Sequence, residues 1–359
     1  MDRRNLQNRE YEMRLIFWET TIGCNLECIH CRRLKVDKQL SENDLTTSQA
    51  FRLLEDIVEV GRPIVILSGG EPLFRPDIFE IANKAGELGL ITALATNGTL
   101  ITEDIAKNIA ESGIQRVSVS LDGAHEVTHD NFRKIPGSFK KAIDGLKQLN
   151  RVKISTQINS TITRKNRNEI KDLYNLALKL KAEALHFFML VPVGCGVEIV
   201  DEEMMEPEQY EKVLTWLYEI EKEGKIQIKA TCAPQYYRII HQRGSVQGKG
   251  LKTHSNAMAA VTKGCLAGTG VCFISHTGEV FPCGYLPVSS GNITKKPLKE
   301  IWEKSGIFTQ LRNPDLLKGK CGICEYKNIC SGCRARAYYR FNDYLEEEPY
   351  CIYKPKKKV

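Results

Sequence analysis

RLIFWETTIGCNLECIHC, residues 14–31, joins an apolar, β-branched run to three closely spaced cysteines. The run predicts a β-strand, and Cys24, Cys28 and Cys31 follow it in the pattern C-x3-C-x2-C. Three thiolates in one short loop can bind three irons of a 4Fe-4S cluster and leave the fourth iron open for a second ligand. A tetrahedral zinc site would need a fourth ligand. The nearest candidate, His30, lies between two of the cysteines, and we expect its ring to pack at the cluster edge.

The chain downstream of this loop alternates between strand-like and helix-like segments. Helical spacing is clear at 50–58, where apolar residues recur at i, i+3, i+4, i+7 and i+8. Six β/α units in this order predict a parallel sheet with right-handed crossovers, and they fall short of the eight that close a TIM barrel. We therefore expect an α/β fold built on a partial (β/α)6 TIM barrel. The strands expected after the first are Pro63–Ser68, Ile91–Ala95, Arg116–Leu121, Lys153–Thr163 and Ala184–Leu190.

The distribution of the 13 cysteines divides the chain into two parts. Three lie at 24–31, eight lie at 265–351, and only two lie between these groups. The N-terminus of this 359-residue chain is polar and lacks the apolar centre of an export signal, so we expect a cytoplasmic protein whose clustered thiols bind metal. The net charge is +7, yet the sequence contains neither a nucleic-acid-binding motif nor an apolar run of membrane-helix length. We expect neither nucleic acid nor a membrane as a partner.

Glycines and polar residues follow several predicted strands, where the carboxyl ends of a parallel sheet form ligand sites. Ser68-Gly69-Gly70-Glu71-Pro72 ends the second strand, and its glycines allow a close approach of the backbone. Arg133 is a candidate partner for a carboxylate, because a guanidinium group can pair with it through two hydrogen bonds. A surface ion pair is the alternative interpretation. Further candidates, each of which could also be a local cap, are Asn97, Ser120 and Asn159.

The cysteine loop and the GGEP segment resemble the signature of the radical S-adenosylmethionine (SAM) superfamily. The resemblance implies that the open iron chelates the amino and carboxylate groups of SAM. One electron from the cluster would then split the sulfonium into methionine and a 5′-deoxyadenosyl radical. By this resemblance Cys24, Cys28 and Cys31 hold the catalytic cluster. The expected cofactor contacts are Ser68, Gly69, Gly70, Glu71, Asn97, Ser120, Arg133 and Asn159.

The C-terminal cysteines contain the run Cys321-x2-Cys324-x5-Cys330-x2-Cys333. Eight thiols could fill two 4Fe-4S sites, although C-x2-C pairs also occur in zinc ribbons. The region resembles the SPASM extension of radical SAM enzymes. Carried over by order, the resemblance implies auxiliary site one on Cys265, Cys272, Cys283 and Cys333, and auxiliary site two on Cys321, Cys324, Cys330 and Cys351.

One spacing departs from the SPASM pattern. Many members have three residues before the last cysteine of the run, whereas this chain has two between Cys330 and Cys333. The exchange of these two cysteines between the sites therefore stays open, as does the number of auxiliary clusters, one or two. Cys195 and Cys232 receive no ligand role, and we expect both to be buried, inert thiols.

Several stretches resemble one branch of these enzymes, the heme b synthases of the siroheme-dependent heme pathway. The most discriminating is Lys229–Arg238 (KATCAPQYYR), between the two cysteine-rich parts. The resemblance implies a radical SAM oxidoreductase that oxidatively decarboxylates two propionates of iron-coproporphyrin III to vinyl groups, giving heme b. It also implies a low-potential electron donor such as a ferredoxin or flavodoxin. Arg238, together with Tyr236 and Tyr237, is our candidate for holding the propionates of this tetrapyrrole substrate.

Three other functions fit parts of the sequence. A SPASM maturase would modify a peptide or protein side chain, but only about thirteen residues precede the first strand, too few for a leader-peptide-binding domain. Another tetrapyrrole side-chain enzyme would share the cofactor sites. A non-catalytic iron–sulfur carrier would have no use for an open iron or the GGEP segment. We expect a radical SAM barrel at 12–225, a connector at 226–263, a SPASM-type domain at 264–353 and a basic tail at 354–359.

Overall fold

The computed structural model describes residues 11–33, 43–247 and 263–356. Its strands are β1 (Leu15–Glu19), β2 (Ile64–Ser68), β3 (Ile91–Thr96), β4 (Arg116–Ser120), β5 (Ser155–Ile162), β6 (Ala184–Met189), β7 (Gln227–Thr231), β8 (Val271–Ile274), β9 (Glu279–Phe281) and β10 (Gly291–Asn292). They form one sheet in the order β10-β9-β8-β1-β2-β3-β4-β5-β6-β7. The pairs from β8 through β1 to β7 are parallel. The predicted α/β fold with a partial barrel is confirmed, and β1–β6 are the six expected strands.

Helices connect the parallel strands and cover the outer face of the sheet. The first begins after Thr46, whose side chain accepts a hydrogen bond from the Gln49 N–H while the Gln49 side chain caps the Thr46 N–H. The helices are α1 (Thr47–Val60), α2 (Ile78–Glu87), α3 (Glu103–Glu111), α4 (Glu126–Arg133), α5 (Ser138–Arg151), α6 (Ile170–Lys179), α7 (Val200–Glu203), α8 (Pro207–Glu221), α9 (Gln235–Gln247), α10 (Leu298–Lys304), α11 (Gly306–Leu311), α12 (Gly319–Gly322) and α13 (Arg334–Phe341).

The sheet extends beyond the six predicted strands at both edges. β7 lies in the segment expected as a connector and pairs in parallel with β6. β8 belongs to the cysteine-rich C-terminal part, yet it pairs in parallel with β1, from Leu15 opposite Val271 to Trp18 opposite Ile274. The carboxyl ends of strands from both parts of the chain therefore lie side by side in the sheet. The expected domain boundaries stay a prediction, and 248–262 of the connector and 357–359 of the tail lie outside the described residues.

The two faces of the sheet differ in character. Trp18, Leu67 and Leu94 are neighbours in register on the outer face, where all three are fully buried beneath the helices. On the inner face the register places Asn159 beside His186 and His186 beside Lys229, and these polar residues are only half-buried. The barrel interior is thus polar on the side of β5–β7. Within the residues described, no helix has the length and apolarity needed to cross a bilayer.

Candidate active site and auxiliary thiol sites

The three cysteines of the N-terminal loop lie beyond the carboxyl end of β1. Cys24 is buried, whereas Cys28 and Cys31 are half-buried, and all three are free thiols. The loop is tied to the end of α4, because the Ile29 N–H donates a hydrogen bond to the Phe132 carbonyl at 3.0 Å. A short loop of three thiols whose backbone is fixed in this way fits three irons of a 4Fe-4S cluster.

The GGEP segment packs directly on the start of this loop. The Gly70 N–H donates to the Thr21 carbonyl at 2.9 Å, and the Glu71 N–H donates to the Gly23 carbonyl at 2.8 Å. A Cβ atom at Gly70 would lie 2.1 Å from the Gly23 carbonyl oxygen, and one at Gly69 would lie 2.8 Å from the Thr21 oxygen. These glycines therefore permit the close contact between the end of β2 and the cysteine loop.

Glu71 and Asn97 join the ends of β2 and β3 to the loop. The buried Glu71 carboxylate accepts hydrogen bonds from Thr96 Oγ1 at 2.7 Å and from the Asn97 N–H at 2.8 Å. Burial raises the pKa of Glu71 to about 7, although these hydrogen bonds oppose the shift. The Asn97 amide donates to Asn25 Oδ1 at 2.8 Å and lies 3.9 Å from the sulfur of Cys24. Asn97 thus contacts the edge of the thiol site.

Arg133 is buried against the same loop rather than paired at the surface. Its Nη2 lies 2.5 Å from Asp122 Oδ2, and its Nη1 donates to the Cys28 sulfur at 3.3 Å. Burial alone would raise the pKa of Asp122, but the Arg133 charge, the neighbouring histidines and a hydrogen bond from the Thr161 N–H together keep that pKa below its usual value. The Nε atom of Arg133 has no partner among the described residues. The Nε–H of Arg133 is therefore a buried donor that no described protein group uses.

The remaining expected cofactor contacts lie on the inner face of the barrel. Ser68 and Ser120 end β2 and β4 and are half-buried. Asn159 lies within β5, where its Oδ1 accepts a hydrogen bond from Gln157 Nε2 at 2.7 Å. Gln157 Nε2 also lies 3.0 Å from His186 Nδ1. These side chains form a polar surface on the inner face of the sheet.

Lys229 of β7 stands beside this polar surface. Burial lowers the pKa of Lys229 to about 8, and no other group contributes to the shift. Burial, followed by the charges of Lys229 and Arg116, lowers the pKa of His186 well below its usual value, so His186 is neutral at neutral pH. No carboxylate forms an ion pair with Lys229 within the part of the chain that the structure describes. The interior therefore presents a cation without a protein counter-ion.

The cysteine loop is also fixed to the C-terminal domain. Glu19, at the end of β1, pairs with Arg32 and accepts a hydrogen bond from His276 at 2.8 Å. Burial would raise the pKa of Glu19, but Arg32 and His276 outweigh it and lower the pKa to about 2. The guanidinium of Arg32 lies 4.0 Å from the ring centre of Phe273 in β8. The two parts are therefore held together at the strand ends.

The four cysteines expected at auxiliary site two line one pocket that is partly open to solvent, referred to below as the cavity of auxiliary site two. They come from three separate segments, because α12 and the turn after it supply two of them, the loop before α13 supplies the third, and the C-terminal segment supplies the fourth. Arg334 Nη2 lies 3.8 Å from the Cys321 sulfur, and the Glu348 N–H donates to the same sulfur at 3.3 Å. The set is Cys321, Cys324, Cys330 and Cys351. Four thiols around one cavity fit a fully liganded cluster.

At auxiliary site one the structure brings together three of the four expected cysteines. Cys283 and Cys333 pack in one apolar cluster, and the thiol of Cys265 lies close enough to raise the pKa of Cys283, after burial. Cys272 does not join them. It is fully buried in the main core, where its sulfur lies 4.0 Å from the sulfur of Met13. The structure instead places Cys232 in the same apolar cluster.

The proposed propionate site at the connector is not supported. Arg238 is buried, pairs with Glu211, and donates to Gln242 Oε1 at 2.8 Å. It lines the cavity of auxiliary site two. Tyr236 is also buried and donates to Glu221. Both groups are thus paired within the protein, because acidic residues of α8 lie beside α9, which the sequence pattern did not reveal.

Sequence reasoning also missed Asp122 and Lys229. Asp122 lies two residues after β4, and its position just beyond a strand end was a usable signal. Lys229 lies within a stretch that was noted only for its family resemblance. Its place on the inner face depends on the pairing of β7 with β6, which the local pattern did not predict.

Family models match both parts of the chain. Residues 18–177 match the Radical SAM superfamily, and residues 265–334 match an iron-sulfur cluster-binding domain, SPASM. The solved structure of Streptococcus suis SuiB bound to its precursor peptide SuiA superimposes with a TM-score of 0.74 at 16% identity, covering 98% of this chain and 78% of that chain. At that identity the likeness concerns the fold alone.

Two curated relatives are much closer in sequence. An AdoMet-dependent heme synthase of Methanosarcina barkeri is 51% identical over 345 residues, covering 96% of this chain and 98% of that protein. One of Oleidesulfovibrio alaskensis is 44% identical over 355 residues, covering 99% of this chain and 91% of that protein. The superfamily carries a 4Fe-4S cluster with SAM, and the SPASM domain binds additional iron–sulfur clusters. This chain is a radical SAM enzyme with a SPASM domain and belongs to the family of the AdoMet-dependent heme synthases.

Proposed function

We propose that this enzyme converts two propionates of iron-coproporphyrin III to vinyl groups and so makes heme b. The observation that carries the proposal is Lys229 on the inner face of the barrel, a lysine for which the described residues provide no counter-ion, in a chain whose first strand leads into a three-thiol loop. An anionic side chain of a substrate is the group that such an interior would attract. The high identity to two heme synthases supports a tetrapyrrole as the substrate that carries this anionic side chain.

The proposed reaction balances with the sites present. When bound, the cluster and SAM would supply a 5′-deoxyadenosyl radical able to remove one hydrogen atom from the β-carbon of a propionate. The substrate then loses carbon dioxide and one electron, and its two remaining side-chain carbons become a vinyl group. The electron needs an acceptor, and the thiol sites of the C-terminal domain fit one. A low-potential donor such as a ferredoxin or flavodoxin would supply the electron for each cleavage of SAM.

Lys229 is the residue that we propose for the propionate. Because the pKa of Lys229 is about 8, its ammonium is mostly charged at neutral pH and can donate a charge-assisted hydrogen bond to the carboxylate. Gln157 and the neutral His186 beside it can orient that carboxylate. No proton has to be removed from carbon, so the interior needs no general base.

An anaerobic assay tests the function. Reduced, reconstituted protein is incubated with SAM and iron-coproporphyrin III, and products are followed by chromatography and mass spectrometry. We expect 5′-deoxyadenosine and two successive steps, in each of which the tetrapyrrole loses carbon dioxide and two hydrogens. Deoxyadenosine formed only with a peptide, or only with another tetrapyrrole whose acetate groups are removed, would contradict the proposal. No cleavage of SAM with dithionite, ferredoxin or flavodoxin would contradict it as well.

A further inference from the structure

Cys232 follows β7 and lies in an unusual backbone conformation. Its φ angle is +55°, a left-handed value that is uncommon for a residue other than glycine. The hydroxyl of Tyr210 donates a hydrogen bond to the Cys232 carbonyl at 3.0 Å. Backbone strain of this kind persists where the surroundings fix the residue and is often found at functional sites. These features fix the backbone of the turn after β7 and so fix the orientation of the Cys232 side chain.

The start of the cysteine-rich domain is pressed against this turn. A Cβ atom at Gly264 would lie 2.9 Å from both Cβ and the carbonyl oxygen of Pro234, two residues after Cys232. The next residue, Cys265, donates its N–H to the Cys330 carbonyl at 3.2 Å. These contacts bring the backbone of the first C-terminal cysteine close to the end of β7.

The side chains at this junction form one group of thiols. Cys232 and Cys283 pack against an apolar cluster that contains Cys333 and Val191. Burial, followed by the nearby thiols of Cys333, Cys283 and Cys265, raises the pKa of Cys232. Four free thiols gathered at one junction equal in number the protein ligands that a 4Fe-4S cluster takes.

Cys272 faces the other side of the sheet. It pairs with Ile16 in the register of β8 and β1, and both residues belong to the main core. Its neighbour Phe273 faces inward, beneath the guanidinium of Arg32. Because successive side chains of a strand point to opposite faces, Cys272 points away from the thiol group. Burial raises the pKa of Cys272 to about 12, and no other thiol contributes.

We propose that Cys232, and not Cys272, is the fourth thiolate of auxiliary site one, with Cys265, Cys283 and Cys333. The site then has a protein ligand for every iron, which suits it to electron transfer rather than to binding a substrate. Under the function proposed above, β7 also links the substrate contact to this site. Lys229 lies within β7 and Cys232 directly follows that strand, three positions further along the chain.

The test compares matched variants of the full chain, purified and reconstituted anaerobically. Cys232→Ser and Cys232→Ala are measured beside Cys272→Ser and Cys272→Ala for iron and sulfide content and for the electron paramagnetic resonance spectrum after reduction. We expect Cys232→Ala to lose up to about four of about twelve irons per chain and Cys232→Ser to shift one auxiliary signal. Both Cys272 variants keep the wild-type iron content and spectrum. An unchanged spectrum in both Cys232 variants, or an equal change in the Cys272 variants, overturns the proposal.

A second measurement uses the wild-type protein and does not depend on how a variant folds. Native holoenzyme and iron-stripped protein are pulse-labelled with iodoacetamide, and each cysteine is quantified by mass spectrometry. We expect Cys232 to become labelled on iron removal together with Cys265, Cys283 and Cys333, while Cys272 stays protected in the core. Labelling of Cys232 that is the same before and after iron removal contradicts the proposal. Neither readout involves the tetrapyrrole, so failure here is distinct from failure of the proposed function.

Discussion

The N-terminal loop and the C-terminal domain use the same ligand, a cysteine thiol, in different numbers. The loop after β1 offers three thiols, whereas the cavity of auxiliary site two is lined by four. A cluster iron without a protein ligand can bind a cofactor. A cluster with four protein ligands can transfer electrons, but it can bind a cofactor only if one of those ligands leaves. Under the proposed function, the number of ligands rather than their chemical type would separate the site of chemistry from the site of electron transfer.

The surroundings of the two regions are more alike than their ligand counts. Arg133 donates to the Cys28 sulfur at 3.3 Å in the loop, and Arg334 Nη2 lies 3.8 Å from the Cys321 sulfur in the cavity. Hydrogen bonds and positive charge at a ligand sulfur stabilise the more reduced cluster. Both regions therefore have groups that tune a potential, and they differ in that the loop offers three thiols and the cavity four.

The largest effect is expected from removing one loop thiol. Cys28→Ala leaves two ligands, so SAM cleavage should stop and no 5′-deoxyadenosine should form by chromatography. Iron content should fall by about one third if three clusters are present. The matched control is Cys195→Ser. The native Cys195 sulfur donates to the Arg33 carbonyl oxygen at 2.8 Å, and a serine hydroxyl keeps a donor at that position. Formation of 5′-deoxyadenosine at the wild-type rate in Cys28→Ala would show that SAM cleavage does not need all three loop thiols.

Removing one thiol from the cavity should have a different effect. Cys330→Ala opens auxiliary site two but leaves the loop intact, so SAM cleavage should continue while vinyl product falls below detection because the electron lacks its path. The assay measures deoxyadenosine and tetrapyrrole products together. The control is Ser331→Ala at the next residue, which removes only a hydroxyl that donates to the Lys327 carbonyl at 2.9 Å. This variant should still form both deoxyadenosine and the vinyl product. Formation of both deoxyadenosine and vinyl product by Cys330→Ala would show that auxiliary site two is not the electron acceptor.

A stability effect is expected from Glu71, which belongs to the loop region alone. Its folded pKa of about 7 lies above the usual 4.5, so its contribution is full below pH 4.5 and is lost as the pH rises through about 7. The total loss corresponds to about 3 kcal/mol. Glu71→Gln should remove this slope, measured as the free energy of unfolding of anaerobic protein between about pH 5 and 8. An identical slope in both proteins would contradict the assignment.

The smallest effect is expected at Lys229, between the two regions. Loss of a charged hydrogen bond costs about 1.5–3 kcal/mol, so Lys229→Met should raise the KM for iron-coproporphyrin III by roughly 10- to 150-fold. Because the pKa of Lys229 is about 8, kcat/KM of the native enzyme should fall as the pH rises above that value, and this decline should be absent in Lys229→Met. Lys229→Arg keeps the charge and is the control. An unchanged KM in Lys229→Met would remove this residue from the substrate site.

The sequence by itself determined the features that depend on local order. Apolar periodicity predicted β1–β6, and the spacing of Cys24, Cys28 and Cys31 predicted a three-thiol loop, because strand formation and loop chelation involve residues close in the chain. The GGEP segment was also placed correctly at the end of β2. Its glycines proved to contact the loop backbone, a detail that spacing does not contain.

Only the tertiary structure decided which distant residues meet. The pairing of β8 with β1 buried Cys272 in the core, and the pairing of β7 with β6 turned Lys229 inward and carried Cys232 to the other thiols. Arg238 was paired with Glu211 in the same way, by the packing of α9 on α8. The face that a strand residue occupies depends on its register with partners far away in sequence. A count of cysteines therefore predicts how many ligands exist, and the sheet selects which of them come together.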